Sequence, residues 1–224
     1  MIPLMKVGTS RPQKVASNVA TWWTAALGVA LLAGFGPAAA QVEVLAPDVT
    51  VAGVDQSNWS QRWWQWAGGF RRDESPVTDP DGGRCDAGQT GAVWFLAGTY
   101  GSHRVVRRCR VPAGTFVFFP LVNYVVVALP RGRFDCRSIV GSAKRATDDA
   151  SFLFLEIDGK RVDELADHRQ ASVGCFTMLD SRLPAASDGY YVMLAPLPRG
   201  THVLHFGGRL PTLAQAVTYT LIVE

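Results

Sequence analysis

Short apolar runs, some of them alternating with polar residues, dominate the chain from residue 92 to residue 224. They read AVWFL, HRVVRRCRV, TFVFFPLV, SFLFLEI, YYVMLAPL, THVLHFGG and VTYTLIVE, with Gly- and Pro-containing turns between them. Runs of this length and spacing are typical of strands. In the last run, Val217, Tyr219, Leu221 and Val223 share one face, as in a half-buried strand. We therefore expect a mostly β protein, folded as a two-sheet antiparallel β-sandwich of the jelly-roll or immunoglobulin-like type.

Two segments break the strand pattern and predict helices. In SNWSQRWWQWAGGF, Trp59, Trp63 and Trp66 recur at i, i+4 and i+7, which predicts an N-terminal amphipathic helix laid on a sheet. Trp64 is expected on the outward face of that helix, either packed under a loop or available to a ligand. The segment GSAKRATDDAS predicts a short second helix, and Asp158-Gly159 predicts a two-residue hairpin turn.

The first forty residues have the layout of a secretory signal. A basic leader with no acidic residue is followed by an apolar run from residue 22 to 35, and small residues stand at Ala38 and Ala40. We expect cleavage before Gln41, one domain over 41–224, and a secreted or periplasmic location. The apolar run is shorter than the ~18–20 residues of a membrane span, so none is expected after cleavage. An uncleaved anchor remains the alternative, because the leader is long and carries Trp22 and Trp23.

Removing the leader changes the charge balance. The chain has 22 basic and 19 acidic residues, and three basic residues, Lys6, Arg11 and Lys14, lie in the leader. The remaining part has 19 of each sign. Without a net positive charge, the sequence does not support binding to nucleic acid.

Four cysteines, Cys85, Cys109, Cys136 and Cys175, follow the leader. An even number in an exported protein predicts two disulfides. Of the three pairings we favour Cys85–Cys109 with Cys136–Cys175, because each closes a modest loop without crossing the other. A zinc site is not expected, since the sequence lacks a Cys-x-x-Cys pair and clustered histidines.

The polar segment before Cys85 contains the candidate ligand-binding residues. Asp79, Asp81 and Asp86 alternate around Gly82 as in a calcium loop, but the closing Glu of an EF-hand is absent and Asp-Pro-Asp-Gly is also an ordinary turn. Calcium at these three residues is thus a weak candidate, and no other cofactor is expected. His103, at a predicted turn, completes the candidate set with Trp64. Nucleophile-elbow, phosphate-loop, dinucleotide and His-Glu-x-x-His patterns are absent, and no catalytic residue is singled out.

Several longer motifs lie between Trp59 and Val223: WxxxWWxW, DxDGGxC, GxVWFLAG, CxVPAG, FFPLVN, PLPxGTHxLxFGG and VTYTLxV. Together they resemble a family of secreted bacterial proteins without an assigned function. The resemblance implies export and a single β domain. It brings no catalytic residues.

Three functions from different classes are compatible with these observations. The first is a non-catalytic β-sandwich that binds a glycan or a cell-envelope component, because aromatic rings beside hydrogen-bonding groups stack on sugars. The second is a structural or assembly protein of the envelope that meets a partner through sheet edges or the Trp helix. The third is a polysaccharide hydrolase or lyase using Asp79, Asp81 or His103. The aromatic side chains available to a ligand would be Trp64, Tyr100, Tyr124, Tyr190 and Tyr191.

Overall fold

The structure is a computed structural model that describes residues 42–129, 135–178 and 183–224. The predicted signal peptide, residues 1–40, lies outside this described part. The helices are α1 (Gln56–Ala67) and α2 (Cys136–Thr147), with a 3-10 turn at Leu165–His168. The strands are β1 (Val93–Phe95), β2 (His103–Val111), β3 (Phe116–Val127), β4 (Ser151–Ile157), β5 (Lys160–Arg161), β6 (Arg169–Ala171), β7 (Phe176–Thr177), β8 (Pro184–Leu194), β9 (Gly200–Leu210) and β10 (Leu213–Val223).

The strands form two five-stranded sheets. Sheet 1 has the order β1-β3-β8-β6, with β7 also beside β8, and sheet 2 has the order β2-β10-β9-β4-β5. The prediction of a mostly β, two-sheet protein with two helices is confirmed. The prediction of purely antiparallel sheets is wrong, because β1 runs parallel to β3 and β2 runs parallel to β10. The runs AVWFL and HRVVRRCRV are not hairpin neighbours: the segment between them passes from one sheet to the other.

The main core lies between the two sheets, and a second core lies on the far side of sheet 1. Tyr190, Val192 and Leu194 of β8 belong to the first core, whereas Tyr191 and Met193 belong to a cluster with the tryptophans of α1. Since successive side chains of a strand point to opposite faces, β8 is covered on both. This explains why β8 is buried from Ala185 to Leu194 and why its second half, YYVML, is an uninterrupted apolar run. The molecule therefore has three layers: α1, sheet 1 and sheet 2.

Helix α1 is bounded by a side-chain cap at its start and by a glycine at its end. The carboxylate of Asp55 accepts a hydrogen bond from the Asn58 backbone N–H at 2.7 Å, and Gly68 is the C-cap. Trp59, Trp63 and Trp66 pack against sheet 1 as predicted.

The expected outward position of Trp64 is wrong. Its side chain is only 7% exposed, and its indole N–H donates to the Tyr191 hydroxyl at 2.9 Å. Val77, from the loop after the helix, belongs to the same buried cluster. Trp64 therefore also packs toward sheet 1, and the apolar surface of the helix is wider than a three-residue stripe.

The two disulfides are Cys85–Cys109 and Cys136–Cys175, the pairings that the sequence favours. The first joins the loop before β1 to β2, and the second joins the start of α2 to the segment before β7. Among the described residues, no helix is long and apolar enough to cross a membrane.

Candidate functional site

The predicted ligand loop is a folded turn in which Asp79 has a structural role. Asp79 is buried, and its carboxylate accepts hydrogen bonds from the backbone N–H of Arg84 at 2.7 Å and of Asp81 at 3.3 Å. Burial acts to raise the pKa of Asp79, but these backbone hydrogen bonds outweigh it and the pKa lies below its ordinary value. Both carboxylate oxygens therefore hold the turn in shape.

The same turn lies against the edge of strand β2. The Asp81 carbonyl accepts a hydrogen bond from the Arg108 backbone N–H at 2.8 Å. Gly82 has a φ of 93°, and a Cβ at this position would lie 2.3 Å from the Arg108 carbonyl oxygen. A glycine is needed here for both reasons. The turn thus covers part of an edge strand, which would otherwise present unpaired backbone groups to other chains.

The five candidate residues do not converge on one site. Asp81 and Asp86 line a cavity of about 460 Å³ that also contains Arg108 and Arg110, and Asp79 is not part of its lining. His103 is exposed at the start of β2, five residues and so about 17 Å along the strand from Arg108. Trp64 borders a different cavity.

The side chains considered for a hydrolase or lyase are therefore not gathered in one cleft. Within the described ranges, no group of three or more His, Cys, Asp or Glu side chains is arranged to hold a metal ion. The turn from Asp79 to Asp86 is better explained by its contacts with β2 than by a ligand.

A residue that the sequence did not single out organises this region. Arg107 is 2% exposed and donates five hydrogen bonds: to the carbonyls of Asp79 (2.8 Å), Val77 (3.1 Å), Ala97 (2.7 Å) and Gly98 (2.9 Å), and to the Tyr219 hydroxyl (3.2 Å). One guanidinium thereby joins β2, β10 and the loops on both sides of β1. The alternation of Arg107 with Cys109 and Val111 was the available signal, because it places the arginine on the face that the sandwich buries.

The largest of the cavities described here lies between α1 and the segment 88–92, and we name it the aromatic cleft. Its volume is about 650 Å³, within the range of ligand pockets. Its lining consists of Ala52, Trp59, Arg62, Gln65, Trp66, Gly69, Phe70, Gly88, Thr90, Gly91, Ala92 and Phe95. A second cavity, of about 250 Å³, lies beside Tyr100 and Asn123 and shares none of these residues.

The aromatic rings of the cleft are held in fixed positions. The Trp59 indole N–H donates to the Val51 carbonyl at 3.1 Å, and that of Trp66 donates to the Ala87 carbonyl at 2.9 Å. The ring centroid of Phe95 lies 6.0 Å from that of Trp59 and 5.6 Å from that of Trp66. Both indole N–H groups are already bonded to backbone, and Trp59 and Trp66 are 6% and 7% exposed, so the tryptophans present only a small part of their ring surface to the cleft.

Polar groups and small residues surround these rings. The Arg62 guanidinium lies 4.6 Å from the centroid of the Trp59 ring, and among the described lining residues Arg62 is the only charged one. Gln65 and Thr90 add an amide and a hydroxyl. A Cβ at Gly88 would lie 2.8 Å from the Phe70 ring, so a side chain there would displace Phe70. The cleft therefore combines an apolar floor with a few hydrogen-bonding groups.

Comparisons with known proteins do not identify the site. No family model matches the chain, and no curated protein matches it. Among solved structures, "Structure of PbICP-C in complex with falcipain-2" is similar with a TM-score of 0.28 and 7% identity, over 60% of this chain and 100% of that chain. A similarity of this size carries no argument about fold or function.

Proposed function

We propose that this chain is an exported, non-catalytic β-sandwich protein that binds a glycan or a glycan-bearing component of the cell envelope. The observation that carries the proposal is the aromatic cleft, in which Trp59, Trp66, Phe70 and Phe95 form the floor beside Arg62, Gln65 and Thr90.

Sugar rings suit a cleft of this composition. Each ring has an apolar C–H face, which aromatic rings cover, and a rim of hydroxyl groups, which amides, hydroxyls and guanidinium groups bond. Because Arg62 is the one charged side chain in the described lining, a sugar that carries a carboxylate fits better than a neutral sugar. The ligand class we propose is therefore an oligosaccharide with at least one acidic unit.

Export is supported by two independent features. The first forty residues have the layout of a signal peptide. The two disulfides are typical of a protein that folds in an oxidising compartment. Both features agree with a ligand from the cell envelope.

Binding without hydrolysis is favoured by the lining itself. Glycosidic bonds are usually hydrolysed by a pair of carboxyl groups that flank the bond. The described residues of the aromatic cleft include no Asp, Glu or His, so they provide neither a general acid nor a general base.

A cleft-blocking variant tests the proposal. Thr90 is exposed in the cleft lining, and Thr90→Trp would fill the volume that a sugar needs. We expect soluble acidic oligosaccharides, titrated by calorimetry and tryptophan fluorescence, to bind the wild type and to bind Thr90→Trp at least about tenfold more weakly. Thr201→Trp is the matched control, because Thr201 is exposed on β9 and is not part of the cleft.

The charge of Arg62 is tested in the same titrations. Arg62→Ala should weaken binding of acidic oligosaccharides more than of neutral ones, whereas Arg104→Ala, at an exposed position of β2, should change neither. If neutral and acidic oligosaccharides of the panel all fail to bind, or if binding survives Thr90→Trp, the proposal is wrong.

A further inference from the structure

Strand β3 has a long edge without a neighbour. On one side, β8 pairs with β3 from Val117 to Val127, but on the other side β1 pairs with β3 only from Phe116 to Phe118. Within the described part of the chain, no strand lies beside β3 on that second side after Phe118. Part of this edge is already closed: Pro120 has no N–H, and the Gln215 amide donates to the carbonyls of Pro120 and Leu121. The open edge therefore begins after Leu121.

The register of β3 and β8 shows which backbone groups point toward the open edge. The Ala128 N–H donates to the Pro184 carbonyl at 2.8 Å, next to the pair Val127↔Ala185. Hydrogen-bonded and non-hydrogen-bonded pairs alternate along an antiparallel ladder. Tyr124 and Val126 therefore exchange hydrogen bonds with β8, and the N–H and C=O groups of Asn123, Val125 and Val127 point the other way.

Exposed apolar side chains and a cavity lie along this edge. Val127 is 37% exposed and Leu129 is 65% exposed, which is unusual for large apolar side chains at the end of a core strand. The cavity of about 250 Å³ lies at the opposite end of the same edge, where Asn123, Tyr124 and Val125 line it together with Gly98 and Leu213. The open edge thus has protruding apolar side chains at one end and a recess at the other.

We propose that two copies of this chain associate by antiparallel pairing of their β3 edges about a two-fold axis at Val125. This register places Asn123 of one copy opposite Val127 of the other, and it forms about six backbone hydrogen bonds across the axis. The exposed Val127 of each copy then lies beside the recess of its partner. A two-fold contact of this kind occupies the same surface on both copies. No further copy can add through that surface, so the assembly is a dimer.

The composition of the edge favours a second copy of this chain as the partner. No charged residue occurs from Asn123 to Leu129, so self-pairing brings no like charges together. Val125, Val126 and Val127 are β-branched and pack well across strands. Natural edge strands that avoid self-association usually carry a lysine, a proline or a bulge. In β3 the proline and the register shift lie at residues 120–122, before the open part, which contains no lysine or proline.

Two substitutions at one position test the proposed pairing. Val127→Pro removes a backbone N–H that points toward the partner and leaves the β3–β8 ladder intact, because Val127 is in a non-hydrogen-bonded pair with Ala185. Val127→Lys places a charge on the open edge. The control is Val203→Lys, since Val203 is an exposed valine of β9, which has a neighbour on each side.

The measurement is sedimentation velocity, carried out on protein recovered after export from the expressing cell. We expect the wild type and Val203→Lys to be dimers at micromolar concentration, and both Val127 variants to dimerise at least about tenfold more weakly. Circular dichroism confirms that each variant is folded. A wild type that is monomeric up to about 100 µM, or a dimer that persists in both folded Val127 variants, overturns the proposal.

Discussion

The buried guanidinium of Arg107 carries a positive charge, and each of its five hydrogen-bond acceptors is an uncharged oxygen. A buried guanidinium without a carboxylate is stabilised only if its N–H groups are all satisfied. Here the acceptors are mainly carbonyls of irregular backbone, and those of Val77, Asp79 and Gly98 have Arg107 as their donor. The side chain and the loops on both sides of β1 therefore depend on each other.

The exchange Arg107→Met tests this dependence. It keeps much of the side-chain length and removes the donor from the buried carbonyls of residues 77, 79 and 98, whereas the Ala97 carbonyl keeps the Tyr219 hydroxyl as a donor. We therefore expect the free energy of unfolding to fall by about 3–5 kcal/mol. The neighbouring Arg108 is exposed, and Arg108→Met should change stability by less than about 0.5 kcal/mol. Chemical denaturation of both variants gives the comparison. Equal losses at the two positions would contradict the role assigned to Arg107.

His168 makes the stability of the fold sensitive to acid. The side chain is buried, its Nδ1 has no hydrogen-bond partner among the described residues, and burial lowers its pKa despite the opposing effect of Asp167. The unfolded chain therefore binds a proton at this residue more readily than the folded chain does. Stability due to neutral His168 is present above the ordinary histidine pKa of about 6.5 and is lost as the pH falls through the lower folded pKa.

Replacing His168 should make the free energy of unfolding depend less on pH between about 5 and about 7.5. We expect urea unfolding at about pH 7.5 and about pH 5 to show a smaller stability difference for His168→Gln than for the wild type. His103→Gln is the matched control, since His103 is exposed on β2. A wild-type pH dependence that is unchanged in His168→Gln would contradict the prediction.

Local sequence patterns predicted the positions of helices, strands and turns better than they predicted which strands pair with each other. Asp55 and Gly68 bound α1, and Asp158-Gly159, with φ values of 51° and 77°, forms the hairpin turn between β4 and β5. These features depend on residues close in sequence. The partner of a strand does not, and alternation alone could not show that β1 and β2 belong to different sheets. Trp64 was misplaced for the same reason, because its hydrogen-bond partner Tyr191 lies 127 residues away in the sequence.

The acidic turn predicted from the sequence and the aromatic cleft lie at different places in the fold. The acidic turn of residues 79–86 has the residue types of a ligand site, but the carboxylates of Asp79 and Asp81 bond backbone N–H groups of the turn, and Gly82 is required by its contact with β2. Trp59 and Trp66 were predicted only as packing residues of α1. The aromatic cleft beside them depends on the approach of segment 88–92, and no local pattern reports such an approach.

The disulfide Cys85–Cys109 fixes the covering turn to the edge of β2, and its removal should have two effects. On loop entropy alone, Cys85→Ser with Cys109→Ser should lower the free energy of unfolding by about 3–4 kcal/mol. The variant should also aggregate faster on storage, because the turn no longer covers the strand edge.

The second disulfide provides the control. Cys136→Ser with Cys175→Ser should produce a similar loss of stability, since its loop is of comparable length. It should not produce the same gain in aggregation, which can be followed by light scattering. Equal aggregation of the two variants would contradict the covering role of the turn.

At the scale of the whole molecule, the two proposed binding surfaces are separable. The aromatic cleft and the recess beside the open β3 edge share no lining residue. Thr90→Trp should therefore leave the oligomeric state unchanged, and Val127→Lys should leave oligosaccharide binding unchanged. Failure of one proposal would not decide the other.

The parallel pairing of β2 with β10 also determines when the protein can fold. Strand β10 lies between β2 and β9, and its first paired residue, Gln215, is opposite His103. During synthesis β2 has no neighbour in sheet 2 until the C-terminal strand has been made. Contacts between such distant parts of the chain form slowly, because a long loop must close first. Sheet 2 is therefore completed only after β10 has been made, and we expect its assembly to be a late step in the folding of the chain.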